Sequence, residues 1–264
     1  MKDSFKISGL YIYPVKSLAG ISLQQATLDS MGLEYDRRWM LVSEEGKFLS
    51  QRTLPKMALI QTSIDNGKLT LSMQGKQDLI VPQASEETLP VTIWNDTVLA
   101  NKVDDSCDRW LADALGVSCH LVYMKDDIVR QCDLKYAKQG DRTGFSDGFP
   151  MLLLSEASLD DLNKRLEKPV DMRRFRPNIV IKGCKPFAED EWEKFTLANI
   201  PMLGVKPCSR CPIPTVDPDT GEKTGTEPIS TLATYRKNNH KVYFGMNVIH
   251  QEQGVLSIGD DCLA

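Results

Sequence analysis

The sequence predicts a mainly β protein with a few helices, laid out as two β-rich halves. Three observations predict it. Short runs of alternating apolar residues fill roughly the first 100 positions, the signature of half-buried strands. A polar stretch without period, Lys125 to Asp147, then interrupts the chain. Beyond it comes a second set of short alternating segments, broken by only two helical patterns. Alternation joined by short turns builds antiparallel barrels or sandwiches, and neither half shows the strand–helix–strand rhythm of a parallel α/β sheet.

Each element follows from local chemistry. Lys6 to Tyr13 reads as a strand stopped by Pro14, and Trp39 to Val42 as one ended by the polar Glu44-Glu45-Gly46 turn. Leu59 to Ile64 and the alternating Leu69, Leu71 and Met73 flank Asp65-Asn66-Gly67, a strong hairpin signal. Val91 to Trp94 and Val98 to Leu99 flank Asn95-Asp96 in the same way. Asp105 to Leu115 places Trp110, Leu111 and Leu115 on one helical face, with Gly116 as the stop. Cys119 to Tyr123 returns to strand, and Lys125 to Asp147 reads as a linker or as a lid over a site. In the second half a helix starts near Ser155 and buries Leu159, Leu162 and Leu166, with Ser158 and Asp161 as its capping pair. Another starts at Pro228, with Ile229, Leu232 and Tyr235 at helical spacing. Asn178 to Ile181, Pro201 to Val205, Val242 to Phe244, Val248 to His250 and Val255 to Ile258 are the strands.

Composition excludes several functions. The chain has 264 residues, 41% of them hydrophobic, and a net charge of −4 from 32 Lys+Arg against 36 Asp+Glu, so it is neither disordered nor a basic nucleic-acid binder. Its longest apolar runs, Met151 to Leu154 among them, fall far short of the ~20 residues of a membrane span. The N-terminus has no apolar signal region and no amphipathic presequence, which makes a cytoplasmic location the expectation. Seven scattered cysteines make a poor disulfide framework and fit a reducing compartment. Three histidines without paired spacing make a zinc hydrolase site hard to assemble.

Chemistry must therefore rest on sulfur, arginine or a bound cofactor. Cys208-Ser209-Arg210-Cys211 is the sharpest motif, and Arg210 beside Cys211, with Lys206 before it, supplies the positive charge that favours a thiolate. A dithiol redox pair would want the motif to open a helix, yet Pro212 and Pro214 follow; tetrahedral zinc would want a second ligand pair. A soft transition metal within a larger cofactor needs only one of the two thiols. Two half-buried structural cysteines before a hairpin would read the same way. Arg173-Arg174-Phe175-Arg176-Pro177-Asn178 sets three guanidiniums beside an amide, suited to phosphate or carboxylate, or to a solvated loop balancing nearby acids. Pro14-Val15-Lys16-Ser17 and Asp36-Arg37-Arg38-Trp39 put cations at strand ends, either as turn chemistry or facing one anionic ligand. Gly144-Phe145-Ser146-Asp147-Gly148 is a turn, or a backbone wrap around a ligand.

Taken in order, these motifs resemble the MOSC-domain molybdenum proteins, in particular the mitochondrial amidoxime-reducing components and the bacterial YcbX-like proteins. The resemblance is carried by Tyr13-Pro14-Val15-Lys16-Ser17, Met31-Gly32-Leu33, Asp36-Arg37-Arg38-Trp39, Leu154-Ser155-Glu156-Ala157-Ser158-Leu159 and Phe175-Arg176-Pro177-Asn178-Ile179-Val180-Ile181. It continues through Cys208-Ser209-Arg210-Cys211, Thr215-Val216-Asp217-Pro218-Asp219-Thr220-Gly221 and Phe244-Gly245-Met246-Asn247, so it runs from about Leu10 to Asp260.

The resemblance implies an N-terminal MOSC-associated β domain over residues 1–124 and a MOSC β-barrel over residues 125–264, holding a molybdenum–molybdopterin cofactor between them. Cys211 matches the metal ligand. Lys16, Ser17, Arg37, Arg176, Asn178, Ser209 and Arg210 match the cofactor-holding residues, and Ser146, Asp147 and Gly148 align with a cofactor-contacting turn. Asn247 stands where the mammalian relatives carry a tyrosine, and Asp217, close in sequence to Cys211, is either a proton relay or a hairpin-turn residue. The implied activity is an oxidoreductase that reduces hydroxylamines, amidoximes and N-hydroxylated base analogues, a detoxification role. A cofactor-binding or sulfur-handling module is the alternative, weakened because no pyridoxal-phosphate domain accompanies it. No ferredoxin-type cysteine run follows the barrel, so electrons are expected from a separate ferredoxin, flavodoxin-like or cytochrome partner with its reductase.

Overall fold

The computed structural model describes residues 4–223 and 225–264. Seven strands close on themselves. Around the ring run Met151–Ser155, Ile179–Lys182, Ser4–Ile12, Asp261–Leu263, Lys194–Leu197, Ile200–Ser209 and Lys241–His250, and the last pairs back to the first. Closure removes the exposed strand edges that an open sheet would leave. All neighbours are antiparallel except Met151–Ser155 and Ile179–Lys182, which run parallel. A parallel pair needs a crossover, and the helix Glu156–Asn163 lies in it. The expected β class with few helices is what the chain adopts, with three α-helices among the described residues.

Alternation explains the barrel interior. Ile7, Leu10, Ile12, Leu153, Ile179, Ile181, Phe195, Leu197, Met202 and Val248 fill it, and each such side chain removed from water contributes roughly 1.5–3 kcal/mol. The first strand is a stave of this barrel although its other six strands follow residue 150. The segment after it stays close as well, since Gln25–Asp29 pairs with Gly254–Ser257.

The intervening chain builds its own layers. A four-stranded sheet of Trp39–Val42, His120–Tyr123, Asp96–Lys102 and Thr88–Ile93 stands beside a three-stranded one of Gln61–Asp65, Lys68–Ser72 and Leu79–Ile80. The hairpin turn falls at Asn66-Gly67, as its sequence requires. The helix spans Asp105–Leu115, capped by the Asp104 side chain and ended by Gly116 in the left-handed region.

Some expectations are corrected. The helix after Ser155 is capped by Ser155 itself, whose hydroxyl accepts from Ser158 N at 3.1 Å, and Asp161 pairs with Arg165 instead. The two strands expected on either side of Gly245 are one strand, Lys241–His250. Gly245, at φ 85°, bends it where a Cβ would meet Leu153 O at 2.9 Å. Lys194–Leu197 and Asp261–Leu263 are too short to show a period. The polar stretch Lys125 to Asp147 is a packed wall in which Cys132 is buried against Phe149 and Ile249. All seven cysteines are free.

Candidate functional site

Strand ends and loops from both halves meet at one cleft of about 110 Å³. Lys16, Ser17, Arg37, Ser146, Asp147, Gly148, Arg176, Asn178, Ser209, Arg210, Cys211 and Asn247 all line it. Every residue nominated from the sequence is there except Asp217.

The backbone is strained where the cations enter. Ser17, Arg37 and Arg176 have φ of 69°, 49° and 57°, a region that side-chain-bearing residues rarely occupy. Such strain costs of the order of 1–3 kcal/mol per residue and gathers at sites the surrounding structure holds in place. Each strained residue is tied down by long-range bonds. Gln51 donates to Ser17 O at 2.7 Å, Arg37 N donates to Tyr13 O at 2.9 Å, and Arg176 Nη1 donates to Leu18 O at 2.7 Å.

Two arginines converge on the buried ring of Tyr13, with guanidinium carbons 4.5 Å (Arg37) and 4.1 Å (Arg176) from its centroid. Arg37 Nη1 donates to buried Asp36 at 2.5 Å and to Asn178 Oδ1 at 2.8 Å. Burial, outweighing the attraction of Arg37, raises the Asp36 carboxyl. Arg176 lacks such a partner: its Nη2 is buried with no hydrogen bond, and burial lowers its pKa to about 10. The Nε of Arg210 is buried and unbonded in the same way. Buried guanidinium nitrogens without acceptors carry a desolvation cost that an anionic ligand would remove.

On the facing wall, Lys16 is buried and donates to Phe145 O at 2.8 Å and to Asp147 at 2.6 Å. Desolvation lowers its pKa against the pull of Asp147. Asp147 stands at the mouth. Desolvation works to raise its carboxyl, but Lys16 and Arg52 outweigh this and hold it well below the usual carboxylate range. Trp94 Nε1 also donates to it at 3.2 Å. Gly144 lets this loop approach Arg37, whose carbonyl would lie 2.7 Å from an added Cβ.

The thiol end differs from expectation. Arg210 Nη1 donates to Cys208 Sγ at 3.3 Å and Nη2 to Phe175 O at 2.8 Å, so its charge leans on the first cysteine of the motif. Burial still raises the Cys208 thiol. Cys211, half-buried just past the strand Ile200–Ser209, faces the cleft.

Some nominated side chains are engaged elsewhere. Asn178 is fully buried, bonding Arg37, Leu152 N at 3.1 Å and Tyr11 O at 3.1 Å, which makes it a support for Arg37. The Ser146 hydroxyl donates to Phe149 O at 2.7 Å. Asn247 Nδ2 donates to Lys206 O at 2.9 Å. Asp217 lies in its own turn, accepting from Asp219 N at 2.9 Å and from Arg174 Nη2 at 2.7 Å, so the proton-relay assignment is withdrawn. Asp-Pro-Asp-Thr-Gly is ordinary turn chemistry, and that is its use here.

Sequence reasoning missed Arg52, Trp94 and Arg130. Arg52 lines the cleft and stacks 4.3 Å from the Trp94 ring. Arg130 is buried and donates to Gly144 O at 2.9 Å and Ser146 O at 2.6 Å, while Asp96 holds its other side at 2.8 Å. A cation in the otherwise apolar Ile128-Val129-Arg130 run was the available signal.

Comparison with known proteins gives a consistent picture. A family model described as the MOSC N-terminal beta barrel domain matches residues 4–118, and one described as the MOSC domain matches residues 140–262. Mitochondrial amidoxime-reducing component 1 of Mus musculus is 35% identical over 274 residues, covering 96% of this chain and 80% of that protein. Its Homo sapiens counterpart is 34% identical over 273 residues, covering 96% and 81%. A molybdenum cofactor sulfurase of Oryza sativa subsp. japonica is 31% identical over 271 residues, covering 93% of this chain and 32% of that protein.

Proposed function

The chain belongs to the MOSC family, and from that premise we propose that it is a molybdenum-cofactor-dependent oxidoreductase that reduces N-hydroxylated compounds. The observation that carries the reading is the convergence of the Cys211 thiol and the orphaned Arg176 and Arg210 nitrogens on one cleft. The donor set fits the cofactor: a thiolate suits a soft metal, and buried cations without acceptors suit a phosphorylated pterin. Cys211 would hold molybdenum, and Lys16, Ser17, Arg37, Arg176, Ser209 and Arg210 would hold the organic part. Bound there, the group supplies two-electron redox chemistry.

The chain's own residues supply position and charge. Asn178 and Asp36 fix the Arg37 fork, and the Arg130–Asp96 pair fixes the Ser146 to Gly148 loop. Asp147 keeps Lys16 aimed across the cleft. The wall formed by Phe149, Met151, Leu152 and Phe175 limits water at the reacting end. The reaction balances as R–NHOH plus two electrons and two protons giving R–NH₂ and water, with electrons from a separate ferredoxin, flavodoxin-like or cytochrome donor and its reductase.

Metal and pterin analysis of protein made in a cofactor-competent host tests this first, and absence of stoichiometric molybdenum would sink it. Cys211→Ala should abolish reduction of an aromatic amidoxime by a chemically reduced viologen, whereas Cys208→Ala should be milder. The identity to a cofactor sulfurase favours a second reading, a cofactor-binding or sulfur-handling module. A loaded protein inert toward amidoximes and hydroxylamines would select it.

A further inference from the structure

Charge is unevenly spread over the surface. The chain is acidic overall, at −4, yet an open groove of about 420 Å³ is lined by Lys206, Arg236 and Lys237 together with Tyr136, Tyr235 and Tyr243. Lys135 joins it, since Lys135 and Lys206 both lie over the Tyr136 ring, at 5.4 Å and 4.6 Å. The acid lining the groove, Asp190, is taken by Arg236. Among the described residues, Lys135, Lys206, Lys237 and Lys241, the last paired across two strands with the groove's Asn238, have no carboxylate partner. Beside them, on the Lys125 to Asp147 wall, Leu134 is 62% exposed.

The groove is continuous with the site. Lys206 and Pro207 also line the cleft's outer mouth, which they share with Cys208, Ser209 and Asp147. Lys206 is five residues from Cys211, at most about 17 Å along an extended chain.

We infer that this groove is the docking face of a small acidic electron-transfer protein, whose acidic rim meets Lys135, Lys206, Lys237 and Lys241. The inference rests on the function proposed above and adds the surface its electron donor uses. An acidic carrier is repelled by the chain's overall charge, so a local basic face is what steers it to the site. Tyrosines and an exposed leucine ringed by cations match the make-up of protein interfaces, where aromatic anchors carry the affinity. Each turnover draws two electrons from the carrier and two protons from water, so a one-electron carrier docks and leaves twice. Fast exchange of that kind suits a charge-steered face.

The test uses cofactor-free protein titrated calorimetrically with a plant-type ferredoxin and, separately, with an acidic flavodoxin. Binding to at least one is expected at low salt, and it should weaken as salt rises. The double variant Lys135→Glu/Lys237→Glu should weaken it about tenfold, and Lys68→Glu in the N-terminal hairpin should leave it unchanged. In the loaded enzyme, the double variant should raise KM for the carrier and leave viologen-driven turnover unchanged. Binding of neither carrier, an equal loss with Lys68→Glu, or full turnover with NADH alone would overturn the docking face. Loaded wild-type protein that fails with viologen overturns the proposed reaction instead, while the binding titrations still decide the face.

Discussion

Arg173 and Arg174 lie three and two residues before Arg176, yet the two ends of this short run are built for different purposes. Arg173 forms a bidentate pair with Asp219 at 2.9 and 3.0 Å, and Arg174 pairs with Asp217 at 2.7 Å. Arg176 turns the other way, through a left-handed φ of 57°, against the Tyr13 ring, and keeps one buried nitrogen unbonded. Positive charge alone does not mark a site, because the satisfied arginines hold a turn. The marker is an unmet hydrogen-bonding demand in a buried place.

The largest test of that contrast is Arg176→Ala. Removing the orphaned fork should lower pterin and molybdenum occupancy several-fold in protein purified from a cofactor-competent host, whereas the satisfied neighbour Arg173→Ala should leave occupancy near wild type. Arg176→Lys keeps the charge but not the planar fork and should fall between them. Equal occupancy in all three proteins would remove Arg176 from the cofactor site.

The contrast also shows what the sequence could convey. Local signals were legible: the Asn-Gly turn, the Asp105 to Leu115 helix with its Gly116 stop, and the alternation that fills each sheet. The order of the cationic motifs pointed to one ligand, and those residues do meet at one cleft. Non-local facts were not legible. Alternation says which face of Ser4–Ile12 is buried, but not that the strand pairs with Ile179–Lys182 and Asp261–Leu263 more than 160 residues on. Nor does it say that Ser17, Arg37 and Arg176 adopt left-handed backbone, which only long-range hydrogen bonds enforce. Asp217 has two readings in the sequence, relay or turn, because nearness to Cys211 along the chain says nothing of nearness in space; its bonds within Asp-Pro-Asp-Thr-Gly are those of the turn.

A second test moves to Arg37, whose charge is buried but paired. Asp36→Ala leaves that guanidinium without its carboxylate and strips an acceptor from Tyr13 N, which Asp36 Oδ1 bonds at 2.7 Å. Removing one partner of a buried ion pair destabilises by about 3–5 kcal/mol, read as a lower urea midpoint. A loss under ~1 kcal/mol would mean that Asn178 and the Arg176 carbonyl suffice to hold Arg37, and the pair would be no stronger than a surface one.

The smallest effect belongs to the satisfied, exposed pair. The Arg173 guanidinium holds the Asp219 carboxyl below its usual value by hydrogen bonding, with desolvation opposing. A carboxyl whose folded pKa is depressed adds stability above its unfolded pKa of about 4 and loses it as pH falls through the folded value. Both side chains are largely in water, at 48% and 67% exposure, so the contribution should be about 0–1 kcal/mol and shrink with salt. Arg173→Ala should therefore unfold slightly earlier than wild type at neutral pH, and the two urea curves should converge once the solution is acid enough to protonate Asp219 in both folded proteins. A gap that persists there would place the role of Arg173 in packing or in its bonds to Asp171, and the comparison with Arg176 would then rest on geometry more than on charge.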